Sequence, residues 1–249
     1  MDERTLGEQT KAIQTTWDSI WKDYRASWGP DYEAALQVLL EIIGDCSELK
    51  SLEPGCGSGI FSMELARRGA NTTLLDISDE AIEVAKSLHE KNGISCNAVE
   101  GTILDMPFRD DYFDVCYNMG VLEHFRDGDK QKAIGEMFRV TKPDGKIIVT
   151  TSNRWAMLYR IGKLIQEHRG TWAFGYEDIL NKKKLLGFFE KEGGKKMWSF
   201  AYNPAVSIWM LPRGDMWPAM LLRLGVDTDR FHRTKCPFGQ VLVGYCVKS

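Results

Sequence analysis

Short apolar segments alternate with amphipathic segments between residues 49 and 152, and no other feature of the sequence constrains the fold as strongly. The apolar segments have the length and composition of strands and cover residues 50–53, 72–76, 96–100, 113–118 and 146–151. The intervening segments predict helices over residues 60–68, 79–91 and 129–140. Repeated strand–helix–strand units predict an α/β fold built on a parallel sheet.

Further predicted elements flank this region on both sides. Residues 16–27 and 32–43 carry apolar side chains at helical spacing, which predicts a helical cap before the first strand. Beyond residue 153, helices are predicted to about residue 166 and over residues 179–191. Residues 239–247 predict a last strand that pairs with residues 196–202 as a hairpin, which gives the parallel sheet an antiparallel edge.

Composition excludes several classes of protein. A chain of 249 residues with 43% hydrophobic residues predicts one domain with its own core. A net charge of -3 gives no general attraction for a phosphate backbone, so a nucleic-acid partner is not expected. We expect a cytoplasmic protein without a membrane span, because the sequence has neither a long apolar segment nor the apolar core of a signal peptide. Six scattered cysteines indicate reduced thiols and no zinc site.

The run E-P-G-C-G-S-G at residues 53–59 lies between the first predicted strand and the first predicted helix. Its alternate glycines allow a tight turn and let a ligand approach the backbone without interference from a Cβ atom. Open α/β sheets bind nucleotides at such turns, because the crevice lies at the carboxyl ends of the strands. The alternative is a tight turn that holds no ligand.

Asp76 ends the second predicted strand, 21 residues after Gly55. This separation matches the spacing of about 20 residues that is typical of an acid bound to ribose hydroxyls. The alternative role for Asp76 is to cap the following helix. The glycine spacing G-x-G-x-G differs from the G-x-G-x-x-G of pyrophosphate sites, which disfavours NAD and FAD.

Five motifs in order then resemble one family. The runs E-P-G-C-G-S-G, L-L-D-I-S, M-P-F-R-D-D-Y-F-D-V, G-V-L-E-H-F and E-M-F-R-V-T-K-P-D-G-K resemble class I S-adenosylmethionine-dependent methyltransferases of the small-molecule branch, over about residues 48–152. The resemblance implies a Rossmann-like seven-stranded sheet, mostly parallel with an antiparallel edge strand. It implies S-adenosylmethionine as cofactor and S-adenosylhomocysteine as product.

The same resemblance divides residues 1–249, taken as a single methyltransferase domain, into four parts. These are a helical cap over residues 1–47, a cofactor-binding core over 48–152, an acceptor lid over 153–235 and a terminal strand over 236–249.

The resemblance also implies a cofactor site, residue by residue. Its members are Glu53, Gly55, Gly57 and Gly59 for the methionine portion, Asp76 for the ribose, Ile77, Thr102 and Ile103 around the adenine, and Asn118 and Met119 beneath the methyl group. Thr102 stands where relatives usually carry an Asp, which predicts weaker selection for adenine, and Asp105 is a nearby acid able to compensate. Asn118 is followed by Met119 and Gly120 instead of P-P-Y, which reduces the weight of nucleic-acid and glutamine methylation.

Glu123 and His124 follow the fourth predicted strand on the acceptor side. A histidine there serves as a general base for a hydroxyl or only orients the acceptor, and both roles stay open. Asp114 with Glu123 and His124 also leaves a metal-dependent reaction open, although no metal is predicted.

Aromatic residues suggest an apolar acceptor site. Trp17, Trp21, Tyr24 and Trp28 lie on one face of the first predicted helix. They either close over the cofactor and contact the sulfonium or a flat acceptor, or pack on the core. A second aromatic group, between residues 155 and 217, is either an acceptor lid, a second cluster or a homodimer interface.

The predicted function is transfer of a methyl group to O, N or C of a small hydrophobic or aromatic metabolite by in-line displacement. The alternatives are a protein or tRNA methyltransferase and a non-catalytic module that binds S-adenosylmethionine.

Overall fold

One seven-stranded sheet organises residues 3–22, 29–203 and 232–249, which the structure, a computed structural model, describes. The strands of this sheet are β1 (Lys50–Pro54), β2 (Asn71–Asp76), β3 (Asn97–Glu100), β4 (Phe113–Met119), β5 (Thr141–Ser152), β6 (Lys195–Tyr202) and β7 (Val241–Val247). The helices are α1 (Glu3–Lys22), α2 (Pro30–Ile43), α3 (Ile60–Ala66), α4 (Asp79–Lys91), α5 (Asp127–Val140), α6 (Met157–His168) and α7 (Lys182–Lys191), and a short 3-10 turn covers Leu122–His124.

The strand order is β3-β2-β1-β4-β5-β7-β6. The neighbours from β3 to β5 are parallel, whereas β7 is antiparallel to both β5 and β6. The prediction of a mostly parallel sheet with an antiparallel hairpin at its edge is therefore confirmed. The order reverses between β1 and β4, so a crevice opens at the carboxyl ends of these strands.

The two faces of the sheet are both buried, which explains why the strands read as apolar runs. Cys116 and Ile147 pack on one side with Met137 of α5. Val115 and Ile148, their immediate neighbours in sequence, pack on the other side beneath α2 and α3. This alternation fixes the register of the central strands, because a shift of one residue would exchange the two faces.

The run Pro143-Asp144-Gly145 differs from its prediction. The sequence predicts that the fifth strand begins at residue 146, but β5 begins at Thr141 and continues through these residues. The pairing jumps from Phe113 with Thr141 to Val115 with Lys146, so the extra residues form a bulge within the strand. Asp144 takes a left-handed backbone at φ 61°, and its amide donates to the Lys248 carbonyl at 3.2 Å.

The remaining differences concern the limits of helices. Helix α1 begins at Glu3 instead of near residue 16. Helix α7 begins at Lys182, because the Asn181 side chain accepts from the Lys184 amide and caps it there. Among the helices that the structure describes, none combines the length and the apolar character needed to cross a bilayer.

Candidate functional site

The glycine turn between β1 and α3 requires glycine at each of its three positions. Gly55, Gly57 and Gly59 have φ of 72°, 51° and 65°, a region that side chains disfavour. A Cβ on Gly55 would lie 2.5 Å from Val121 Cγ2, and one on Gly57 would overlap the Trp21 ring. The turn is therefore held open by backbone conformation and covered closely by side chains from two other segments.

Asp76 lies at the carboxyl end of β2, where backbone donors hold its carboxylate. Oδ2 accepts from the Gly57 amide at 2.8 Å, and Oδ1 accepts from the Ser78 amide at 3.0 Å. Burial raises the pKa of Asp76, and these two hydrogen bonds oppose the shift. The helix cap falls to Ser78 instead, because its hydroxyl accepts from the Ala81 amide at 3.2 Å. Asp76 thus connects the glycine turn to the beginning of α4.

Glu53 is a buried acid at the end of β1. Its Oε2 accepts from the Ser62 hydroxyl at 2.6 Å and the Ser62 amide at 3.2 Å, and the Tyr117 hydroxyl lies 3.2 Å away. Burial raises the pKa of Glu53 to about 7, although the Ser62 hydrogen bonds lower it. Its charge consequently changes near neutral pH.

A cleft with about 930 Å³ of empty space opens over the glycine turn. It lies at the carboxyl ends of β1, β2 and β4, where the strand order reverses. The predicted site residues in its wall are Glu53, Gly55, Gly57, Asp76, Ile77, Thr102, Ile103, Met119, His124, Trp17 and Trp21. The cleft therefore brings together predicted site residues that lie far apart in the sequence, from Trp17 to His124.

Three predicted site residues do not line the cleft. Gly59 forms the N-cap of α3 and lies between the wall residues Ser58 and Ile60 without lining the cleft itself. Asn118 is fully buried, and its Nδ2 lies 3.5 Å from Met137 Sδ on the opposite side of β4. Glu123 lies within the 3-10 turn with its side chain buried, and burial raises the pKa of its carboxyl. Tyr24 and Trp28 lie outside the described residues.

His124 has a fixed orientation beside the cleft. Its Nδ1 lies 3.0 Å from the Tyr176 carbonyl oxygen, and its ring meets Trp17 edge-on with centroids 4.9 Å apart. Because a carbonyl oxygen can only accept, the geometry assigns the proton of the neutral ring to Nδ1. Nε2 is then left with the lone pair that a general base needs.

The geometry does not support the two other expectations at this site, which are compensation by Asp105 and a metal bound by Asp114, Glu123 and His124. Asp105 is exposed and outside the cleft, while the Thr102 hydroxyl accepts from the Leu104 amide at 3.2 Å. Asp114 lies near the beginning of β4 and bonds Lys142, whereas Glu123 and His124 follow the end of that strand. Across the described residues, no three His, Cys, Asp or Glu side chains are grouped to hold a metal ion.

Several wall residues were not predicted from the sequence. They are apolar or aromatic side chains, namely Ile13, Tyr32, Ile60, Phe61, Val121 and Phe125, together with Cys56, Ser58, Gly101 and Gly120. Tyr32 and Phe61 contact each other, with ring centroids 5.7 Å apart. Val121 and Phe125 flank Glu123 and His124 in sequence, so the apolar residues around that pair were the available signal.

The strand order, the glycine turn and the acid at the end of β2 together define the Rossmann-like fold of class I methyltransferases. Consistent with this, a family profile described as "Methyltransferase domain" matches residues 52–149. The chain is a class I S-adenosylmethionine-dependent methyltransferase.

Individual relatives agree with this assignment. The chain is 27% identical to a ubiquinone biosynthesis O-methyltransferase of Rickettsia felis over 80% of the chain and 82% of the relative. It is 30% identical to the protein of that name from Rickettsia conorii over 67% of the chain, but spans only 59% of the relative. The crystal structure of magnesium protoporphyrin IX methyltransferase from Synechocystis superimposes with a TM-score of 0.62 at 13% identity, covering 100% of both chains. At that identity the structural likeness concerns the fold alone.

Proposed function

We propose that this methyltransferase modifies a phenolic oxygen of a small apolar aromatic molecule. The observation that carries the proposal is the orientation of His124, whose Nδ1 faces the Tyr176 carbonyl oxygen while its ring lines the cleft. A phenol loses its proton as it becomes a nucleophile, and a neutral imidazole nitrogen is suited to accept it. The names of the Rickettsia relatives, both O-methyltransferases, support oxygen as the acceptor atom.

The residues of the cleft fit the cofactor that the family implies. Each oxygen of the Asp76 carboxylate engages one backbone donor and keeps capacity to accept a ribose hydroxyl. The three donors around Glu53 converge on Oε2, so Oε1 is suited to an ammonium group. Ile77 and Ile103 provide apolar walls for the adenine ring. When bound, S-adenosylmethionine supplies an electrophilic methyl group on a sulfonium.

His124 acts as the general base in this proposal. Its Nε2 accepts the phenolic proton, while Nδ1 keeps its own proton on the Tyr176 carbonyl oxygen. The Trp17 ring packs against the imidazole and restricts its rotation. His124 and Trp17 thus align the acceptor oxygen, and such alignment is the main contribution that a protein makes to a displacement reaction.

The remaining wall of the cleft favours an apolar aromatic acceptor. Trp17, Val121 and Phe125 surround His124, and Ile13 of α1 lies among them in the wall. Aromatic and aliphatic side chains of this kind bind a flat apolar ring through burial and offset stacking.

The test measures release of S-adenosylhomocysteine from S-adenosylmethionine with matched acceptors. The acceptors are an alkyl-substituted catechol and two analogues of it, one with both hydroxyls replaced by amino groups and one with both replaced by thiols. The three molecules differ only in the acceptor atom. We expect turnover with the catechol, and we expect His124→Gln to lower it without weakening the affinity for S-adenosylhomocysteine. Turnover confined to the amino or the thiol analogue would overturn the choice of oxygen.

A further inference from the structure

Helix α6 presents its apolar side chains to solvent. Met157, Leu158, Ile161 and Leu164, which recur at helical spacing on one side, are between 43% and 65% exposed and are called here the outer face of α6. Trp155, just before the helix, is 58% exposed. Surface helices normally bury such a side, and a large exposed apolar patch marks an interaction site.

The opposite side of α6 packs on the protein through polar groups. The Tyr159 hydroxyl donates to Glu177 Oε1 at 2.8 Å, and Lys163 Nζ lies 3.7 Å from Glu177 Oε2. Gly162 is buried on the same side, where the absence of a side chain permits close contact. These contacts fix the rotation of the helix about its axis, so the outer face is exposed because the polar side is anchored.

The charges around the outer face are unbalanced. Arg154, Arg160 and Arg169 are exposed and form no ion pair within the part of the chain that the structure describes. The only acid in α6, Glu167, bonds Lys163 at 3.0 Å. An apolar face bordered by guanidinium groups that form no ion pair among the described residues matches a partner that is apolar inside and anionic at its surface.

We propose that the outer face of α6 docks on an anionic lipid bilayer. The aliphatic side chains enter the boundary between headgroups and acyl chains, Trp155 lies at the interface, and the three arginines meet lipid phosphates. A helix of 12 residues is about 18 Å long, so it lies on a bilayer whose apolar core is about 30 Å thick. A second copy of the chain suits this face less well, because a two-fold contact would bring the arginines together.

A series of ring contacts joins α6 to the cleft. Lys163 Nζ lies 5.2 Å from the centroid of Trp172, Trp172 contacts Phe174, and Phe174 contacts Trp17 in the cleft wall. The docked surface and the cleft are therefore connected through one aromatic segment. The docking itself does not depend on the proposed acceptor.

Flotation with lipid vesicles tests the docking. The full chain is expected to float with vesicles of phosphatidylcholine mixed with phosphatidylglycerol, and the bound fraction should fall with added salt. The double variant Ile161→Glu with Leu164→Glu should lower the apparent affinity at least about tenfold. Phe238→Glu is the matched control, because Phe238 is equally exposed at 64% but lies outside α6, and it should float like the wild type.

Two further measurements separate docking from misfolding and from self-association. Each variant is checked for calorimetric affinity toward S-adenosylhomocysteine and for turnover of a water-soluble catechol, neither of which should change. If the double variant fails to fold, Arg154→Gln with Arg169→Gln replaces it and should lower the affinity for anionic vesicles. The proposal is overturned if the wild type does not float with the anionic vesicles. It is also overturned if a folded α6 variant floats normally, or if light scattering finds a dimer that the variants disrupt without any vesicle binding.

Discussion

Replacing Asp76 by Asn tests the cofactor site with the least change of shape. The carboxylate holds the Gly57 amide at 2.8 Å and the Ser78 amide at 3.0 Å, one on each oxygen. The Asn side chain has a single acceptor oxygen, so its amino group must face one of the two backbone N–H donors. The substitution removes the charge proposed to meet the ribose hydroxyls and also loosens the glycine turn.

The size of the effect follows from these bonds. A hydrogen bond to a charged group contributes about 1.5–3 kcal/mol, which corresponds to about 10–150-fold in affinity. The backbone N–H that loses its acceptor costs the fold about 1–3 kcal/mol, equivalent to about 2–6 °C in the melting temperature for a chain of this size. Cofactor affinity should therefore fall by more than the modest loss of stability alone would cause.

Calorimetric titration with S-adenosylhomocysteine measures the affinity, and thermal unfolding measures the stability. Glu100→Gln is the matched control, because Glu100 pairs with Asp76 across β2 and β3 but does not line the cleft. The control should bind like the wild type. An Asp76→Asn protein that is folded at the titration temperature and binds within about threefold of the wild type would refute the ribose assignment.

Three other substitutions give independent tests. Burial holds the pKa of Glu53 at about 7, so its charged form grows as pH rises, and affinity for S-adenosylhomocysteine should rise about tenfold between about pH 6 and pH 8. Glu53→Gln should flatten this profile, and equal slopes in both proteins would contradict the role of its charge. His124→Gln should lower kcat for a catechol by about 10²–10³ while cofactor affinity stays constant, and a parallel loss of affinity would argue against a base. Gly59→Ala should cost at least about 2 kcal/mol in chemical denaturation, because φ is 65° and a Cβ there overlaps Leu74. Gly128→Ala, whose Cβ would meet nothing within 4 Å, is the control and should cause no loss.

Local chemistry explains which features were predictable from the sequence. A chain that turns with positive φ directly after a strand needs glycine at those positions. Gly55, Gly57 and Gly59 all have positive φ, so the position of the turn could be predicted from residue type. The strands were recognisable because their buried faces leave continuous apolar runs. The pairing of β6 with β7 could be predicted from the strand-like composition of the two segments. Its place beside β5 could not, because that place depends on how the complete sheet assembles.

The predicted residues that miss the cleft show where a motif is insufficient. Asn118 and Met119 are neighbours in β4, and adjacent side chains of a strand point to opposite faces. Met119 lines the cleft, so Asn118 is directed into the core. Glu123 and His124 are likewise adjacent in a 3-10 turn, and only His124 reaches the cleft wall. A resemblance at the level of a motif identifies such a pair but does not identify which member faces the ligand.

Tyr32 illustrates a different limit. It lies in the first turn of α2, in a segment that reads as an ordinary amphipathic helix. Its ring reaches the cleft because α2 packs against α3 and brings Tyr32 to Phe61, 29 residues further along the chain. Only the packing of the two helices determines that contact, so no local pattern in the sequence indicates it.

The place of β7 in the sheet has a consequence for synthesis of the chain. β7 is translated after every other strand of this sheet, yet it lies between β5 and β6 and pairs with both. Until it emerges from the ribosome, β5 presents an unpaired edge and β6 has no neighbour in the sheet. The nascent chain therefore carries an unpaired edge from the completion of β5 until β7 emerges, and its yield should depend on chaperones that shield this edge during that interval.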